Sequence, residues 1–254
     1  KTIEIIPLAG IPEVRPGDDL AEVIARALGE AGLRPDEGDI LAVAQKIVSK
    51  AEDRFVRLSE VEPSPEALRI AERDGRDGRL VEVVLRESNE VVVASERALI
   101  VEHRSGAVCA HAGVDRSNVG GGGDEDLVLL LPRDADASAR KLREGLERLL
   151  GARPAVLIAD TQGRAFRRGV AGAAIGCAGV EPVVDVRGER DREGRALEIT
   201  QVAQADELAA AASLAMGQGA EGVPAVLIRN SNYRRGEAPA TRLFRPKEED
   251  LFRP

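Results

Sequence analysis

Short aliphatic runs, broken by glycine and charge, recur along the chain and define its elements. Residues 2–8 alternate apolar and polar positions and predict a strand. A loop, Gly10-Ile11-Pro12-Glu13-Val14, leads to Gly17-Asp18-Asp19, which opens a helix. Leu20, Val23, Ile24, Ala27 and Leu28 give that helix its apolar stripe, and Gly29 and Gly32 bracket its end. Residues 40–44 are aliphatic without interruption, the pattern of a strand covered on both faces. The run continues into Gln45-Lys46-Ile47-Val48-Ser49-Lys50, read as a strand end carrying two lysines. Ser64-Pro65-Glu66 combines an N-cap serine, proline at the first helical position and an acid against the helix dipole. Ala67, Ile70 and Ala71 continue that helix towards Gly75, and a further helix is expected over 79–87. Residues 91–94, 98–101 and 107–110 read as three strands of an antiparallel section.

In the second half, 127–131 predicts a strand, and Asp134-Ala135-Asp136-Ala137-Ser138 supplies caps for a helix. Leu142, Leu146, Leu149 and Leu150 mark its apolar face, and Gly151 its end. Residues 154–159 predict a buried strand. Desolvating a bare carboxylate is too costly inside such a strand, so Asp160 is placed at its C-terminal end. Ligands commonly bind at strand ends of this kind in sheet-and-helix folds. Residues 169–179 are small and apolar, with Gly172 and Gly176 at close-packing positions, and 189–195 form a charged turn. An alanine-rich helix over 203–216 ends in Gly217-Gln218-Gly219-Ala220-Glu221-Gly222. Pro-Ala-Val-Leu-Ile at 224–228 repeats 154–158, which two similarly built core strands explain as well as duplication does. Residues 246–250 could open a short helix. Gly120–Gly123, followed by Asp124, Glu125 and Asp126, reads as a flexible connection, because those acids would repel a phosphate. No Pro/Ser linker divides the chain, so 1–254 is taken as a single domain.

Hydrophobic content of 43% and charged content of 31% fit a soluble globular protein. No apolar run approaches the roughly 20 residues of a membrane helix, and no secretory signal is read. Cys109 and Cys177 form no metal motif; they are expected as small buried hydrophobes in a cytoplasmic setting. The net charge of −8 opposes nucleic acid, so an anionic ligand must be held by local bases. With no Trp, one Tyr and four Phe, the chain lacks the stacking rings of a single-strand-binding platform.

Asp160 and Thr161 offer the hard oxygen donors that magnesium and manganese prefer. Arg164, Arg167 and Arg168 follow at once and suit phosphate or carboxylate. Gly163 and Gly169 allow tight turns on either side. The competing reading is a surface turn with a capping Asp and solvated arginines, and the local string favours neither. Lys46 and Lys50 likewise fit an anionic partner or plain solvation, and taken alone they favour solvation. Asp115, like Asp160, falls just beyond a strand. His111 is given no role.

Four segments occur in one order across nearly the whole chain: Val43-Ala44-Gln45-Lys46-Ile47-Val48-Ser49-Lys50-Ala51-Glu52, Ala112-Gly113-Val114-Asp115-Arg116-Ser117-Asn118, Asp160-Thr161-Gln162-Gly163-Arg164 and Ala205-Asp206-Glu207-Leu208-Ala209. Together they resemble the coenzyme F420:L-glutamate ligases, also called gamma-glutamyl ligases of the deazaflavin coenzyme. The resemblance implies an α+β fold of two lobes with mixed sheets, assembled as an intertwined homodimer. It implies a GTP- and divalent-metal-dependent ligase. Such an enzyme joins L-glutamate to the terminal carboxylate of an F420 precursor through an acyl-phosphate. Two magnesium or manganese ions are implied, Asp115 and Asp160 holding the first and Thr161 and Gln218 the second. Ile11, Pro12, Glu13, Val14, Gln45, Lys46, Lys50, Asn118, Met216, Gly217, Gln218, Gly219, Ala220, Glu221, Gly222 and Val223 are implied to line the nucleotide site. The glycines beside Gln218 would let backbone amides approach phosphates.

The chain departs from the family pattern at two places. Family members can carry Glu where Gln218 stands, so the second metal loses a charged ligand. A frequent Gly is Asp53 here, at an expected turn with little bearing on chemistry. Two other readings stay open from the residues: a nucleotide-binding module without catalysis, and a ligase for a different carboxylate.

Overall fold

The computed structural model describes residues 2–119 and 124–250. Gly120–Gly123, read above as a flexible connection, lie outside the described residues. In chain order the first half holds β1 (Glu4–Pro7), α1 (Leu20–Glu30), β2 (Ile40–Ala44), α2 (Gln45–Ala51), β3 (Phe55–Arg57), α3 (Pro65–Asp74) and α4 (Gly78–Arg86). There follow β4 (Ser88–Ala94), β5 (Leu99–His103), β6 (Val108–Ala110), β7 (Leu127–Leu129), α5 (Ala135–Leu150), β8 (Ala155–Gly163) and β9 (Val170–Ala178). The last elements are β10 (Val184–Asp185), β11 (Gln201–Val202), α6 (Gln204–Met216) and β12 (Ala225–Arg229).

The predicted caps set the helix boundaries. The Asp19 carboxylate accepts from the Ala21 amide at 2.9 Å, Ser64 from Ala67 at 3.2 Å, and Asp134 from Ala137 at 2.8 Å. Each satisfies a donor that the first helical turn leaves unpaired. Gly75 and Gly151 close α3 and α5 in the left-handed conformation, where a Cβ would be strained.

The aliphatic runs assemble into one five-stranded mixed sheet in the order β1-β12-β2-β8-β9. β2 and β8 run parallel, and the other neighbours are antiparallel. Both faces are covered, as the uninterrupted runs predicted. Leu41, Val43, Val156, Ile158 and Leu227 pack with α1 and α5 on one face. Ile40, Ala42, Leu157, Val226 and Ile228 pack with α6 on the other. Burying each large aliphatic side chain contributes about 1.5–3 kcal/mol. Gly172 lets α6 approach β9: a Cβ there would lie 2.5 Å from the Ala209 carbonyl oxygen and 2.7 Å from the Ser213 Cβ. The antiparallel section expected from the sequence is present as β4-β5-β6, packed on α3 and α4, and β3 pairs with β7 beside it. Both cysteines are free and buried. Among the described residues no helix is long and apolar enough to cross a membrane.

Two expectations are corrected. Gln45 to Lys50 is not a strand end but the helix α2, which follows β2 without a side-chain cap. Asp160 does not end its strand. β8 continues to Gly163, because pairing with β9 carries the ladder beyond the core as a two-stranded arm. Burial does stop at the expected place: Ala159 is buried, Asp160 half-buried and Thr161 exposed.

Candidate functional site

Strand directions gather the candidate segments at one edge of the central sheet. β2 and β8 are parallel, so the start of α2 and Asp160 emerge at the same edge. β12 is antiparallel to β2, so the loop before it, Gly217 to Val223, opens there too. The Ala44 amide donates to the Pro224 carbonyl at 2.8 Å. β1 is antiparallel to β12, and the Leu8 amide donates to the Ala225 carbonyl at 2.9 Å, which delivers Ile11, Pro12, Glu13 and Val14 to this edge.

Asp115 reaches the edge from the other sheets. Its backbone pairs with Leu129, extending the β3-β7 pair by one bridge. Its carboxylate forms an ion pair with Lys46 at 2.9 Å. It also accepts from the Ser117 amide at 2.7 Å and the Ser117 hydroxyl at 2.8 Å. Lys46 donates in turn to the Ser117 carbonyl at 2.6 Å. Burial opposes ionisation of Asp115, but the Lys46 and Ser117 contacts outweigh it and hold the carboxyl below its usual range. Ser117 was not singled out from the sequence, although an Asp two residues ahead of a Ser is a local turn signature. Asn118 follows with φ at 51°.

Asp160 behaves in the opposite way. Burial pushes its carboxyl up to about 6, the charge of Asp115 adds to the rise, and the Thr161 amide, Gln162 and Lys46 only partly offset it. Two neighbouring carboxylates, one of them costly to ionise, suit a divalent cation, which relieves both the desolvation and the repulsion. Among the described residues no group of three or more His, Cys, Asp or Glu side chains gathers to hold a metal. A cation at this pair would take its remaining ligands from hydroxyl, amide, water or phosphate oxygens, as magnesium commonly does. Burial with the nearby Asp160 charge also pushes the Cys109 thiol up to about 12, so it stays protonated and is no nucleophile at neutral pH.

Thr161 points to the other side of the arm from Asp160, since successive side chains on a strand alternate. It stands opposite Gly172 in register. Gly172 abuts Ser213, and the Gln218 amide donates to the Ser213 hydroxyl at 3.1 Å. Gln218 is thus held beside Gly172, the residue that pairs with Thr161.

The lysines are not both solvated. Lys50 is 5% exposed and forms an ion pair with Glu13, joining two of the candidate nucleotide residues. Gln45 is buried and accepts from the Ser49 hydroxyl at 2.9 Å. In the Gly217 to Gly222 loop the Glu221 carboxylate accepts from the Gly219 amide at 2.7 Å. Backbone amides within the loop lower the Glu221 pKa, so these N–H groups already face an anion. Met216, Gly217 and Val223 are half-buried, and Gln218, Gly219, Ala220, Glu221 and Gly222 are exposed.

An edge that brings together two carboxylates, two paired lysines and a glycine loop with inward amides has the equipment of a phosphate-handling enzyme. The family model described as F420-0:Gamma-glutamyl ligase matches residues 10–230. A protein named coenzyme F420:L-glutamate ligase from Methanothermobacter thermautotrophicus is 50% identical over 253 residues, covering 99% of both chains. Proteins of the same name are 48% identical in Methanopyrus kandleri, over 99% of this chain and 98% of that one, and 44% identical in Archaeoglobus fulgidus, over 99% and 96%. The chain belongs to the F420-0:gamma-glutamyl ligase family.

Proposed function

We propose that the chain is the enzyme that joins L-glutamate to a coenzyme F420 precursor, using GTP, and that residues 1–254 act as a single ligase domain. Full-length identity near one half to relatives of that name supports the reaction. The observation that carries the residue assignment is the convergence of the candidate segments, with the Asp115–Asp160 pair, at one sheet edge.

Forming an amide from a carboxylate and an amine requires activation, because a carboxylate oxygen is a poor leaving group. Phosphoryl transfer from GTP to the precursor carboxylate makes an acyl-phosphate and releases GDP. The glutamate amine then displaces phosphate and leaves the amide. Positioning and charge stabilisation dominate such transfers. Lys46 and Lys50 supply positive charge where phosphate would lie. The 217–222 loop supplies amides once Glu221 is displaced, and Gln45 and Asn118 line the same edge. Two magnesium or manganese ions would neutralise developing phosphate charge when bound. Asp115 and Asp160 would hold the first, and Thr161 and Gln218 donors would serve the second. Lys46 now neutralises Asp115, and would turn to phosphate as metal takes its place.

We also take the working form to be a cytoplasmic, two-lobed, intertwined homodimer. The test of function is direct. Protein incubated with deglutamylated F420 precursor, GTP, manganese and L-glutamate should yield glutamylated product, GDP and phosphate in step. GTP left unconsumed, or consumed without glutamyl product under any metal, refutes the ligase reading.

A further inference from the structure

Ser117 belongs to neither the metal nor the nucleotide assignment, yet both charged partners at this corner of the site touch it. The two oxygens of the Asp115 carboxylate are used differently. Oδ1 accepts from the Ser117 amide at 2.7 Å and from the Ser117 hydroxyl at 2.8 Å. Oδ2 faces the Lys46 ammonium at 2.9 Å. The last torsion of an aspartate is broad, so its carboxylate turns easily unless something holds it. Two donors on one oxygen hold this one, and they leave the other oxygen to a cation. The hydroxyl is committed as well: its single proton goes to Asp115, and its oxygen accepts from Lys46 at 3.3 Å. The Ser117 carbonyl accepts from the same ammonium at 2.6 Å.

These contacts join two parts of the fold. Asp115 is carried beside β7 by its bridge to Leu129, and Lys46 lies in α2, which follows β2 of the central sheet. Ser117 itself is exposed, so no core depends on it. Hydrogen bonds at an exposed residue contribute little to folding, because water replaces them. What the contacts fix is where one carboxylate oxygen and one ammonium stand.

We propose that Ser117 is a positioning residue of the ligase: its amide and hydroxyl aim Asp115 Oδ2 at the first metal, and its carbonyl keeps the Lys46 ammonium beside that oxygen. The proposal rests on the ligase reading and on Asp115 as a metal ligand. A ligand already held in place loses less freedom on binding than one that must first be ordered. Groups that orient a metal ligand commonly carry about ten- to a hundredfold in metal affinity. Alanine at 117 keeps the backbone amide and carbonyl and removes only the hydroxyl, so the expected loss falls at the low end. Threonine keeps the hydroxyl.

The experiment compares wild type, Ser117→Ala and Ser117→Thr. Manganese binding in the presence of GDP is read without turnover, from the electron paramagnetic resonance signal of free manganese. The metal dependence of glutamyl transfer and the KM values for precursor and glutamate follow, and denaturant unfolding in chelator reports the fold. Ser117→Ala should bind manganese about tenfold more weakly and need correspondingly more for half-maximal turnover. Its KM values for precursor and glutamate should stay within about twofold of wild type, and its unfolding midpoint should not move. Ser117→Thr should bring manganese affinity back to within about twofold of wild type. Equal manganese affinity in wild type and Ser117→Ala, with wild type making product, overturns this proposal and leaves the ligase reading standing. Equal loss in Ser117→Ala and Ser117→Thr overturns it too, because the hydroxyl is then not the agent. A lowered unfolding midpoint that tracks the loss of affinity assigns Ser117 to folding and overturns the positioning role. Wild type that consumes no GTP and makes no glutamyl product under any metal refutes the ligase reading, and this proposal falls with it.

Discussion

Replacing Asp160 by asparagine sets stability against activity. The Asp160 carboxyl rises from 3.8 to about 6, chiefly through burial and further through Asp115. The folded state thus holds the proton more tightly than the unfolded chain does. Below about pH 4 both states are protonated and ionisation costs nothing. Between about pH 4 and 6 the unfolded chain ionises first, and stability falls as pH rises. Above about pH 6 both are ionised and the full cost is present. Two pH units correspond to roughly 3 kcal/mol, or about 1–2 kcal/mol after allowing for screening of a half-buried group. Without metal, Asp160→Asn should therefore be more stable than wild type at pH 7. For a chain of this length the gain in Tm is about 2–8 °C. The gain should vanish near pH 4, where asparagine and protonated aspartate are close equivalents. Denaturant unfolding in chelator, at both pH values and for both proteins, measures the difference and cancels other titrating groups. Turnover should be lost, because a hard anionic ligand is gone. A variant that is less stable at pH 7, or whose advantage does not depend on pH, would refute the electrostatic reasoning. An active variant would sink the metal assignment.

Lys50→Ala removes a buried ammonium and frees Glu13, which is exposed enough to be solvated. GTP binding measured by calorimetry should weaken by about 1.5–3 kcal/mol with the fold retained; unchanged affinity would confine Lys50 to its pair with Glu13. Gln218→Glu would add a charged ligand for the proposed second metal. Half-maximal activity should then need less manganese, and an unaltered requirement would place Gln218 outside the coordination shell.

The parts of the fold that burial dictates were legible in the sequence. Uninterrupted aliphatic runs became the central strands, and Asp19, Ser64 and Asp134 became caps, because each solves a local problem of hydrogen bonding or water exclusion. α2 was not legible. It is seven residues long, contains β-branched Ile47 and Val48, and starts without a side-chain cap, so local preference points elsewhere. The extension of β8 was hidden for another reason: Asp160 to Gly163 stay in register only because β9 lies alongside. In the site, the burden of a carboxylate at the end of a buried run was readable. The pairings were not. Lys50 meets Glu13 from 37 residues away, and Lys46 meets Ser117 from 71. No local pattern reports such contacts, and so the lysines, read alone, looked solvated.

The position of β12 between β1 and β2 has a consequence for synthesis. β1 is made well before β12, its partner in the sheet. Until residues 225–229 emerge, β1 lacks its neighbour, β2 has a bare edge, and the loop 217–223 has no strand to anchor it. Closing so long a segment costs entropy before its contacts repay it. The sheet edge proposed to bind GTP is thus complete only once residues 225–229 have been made.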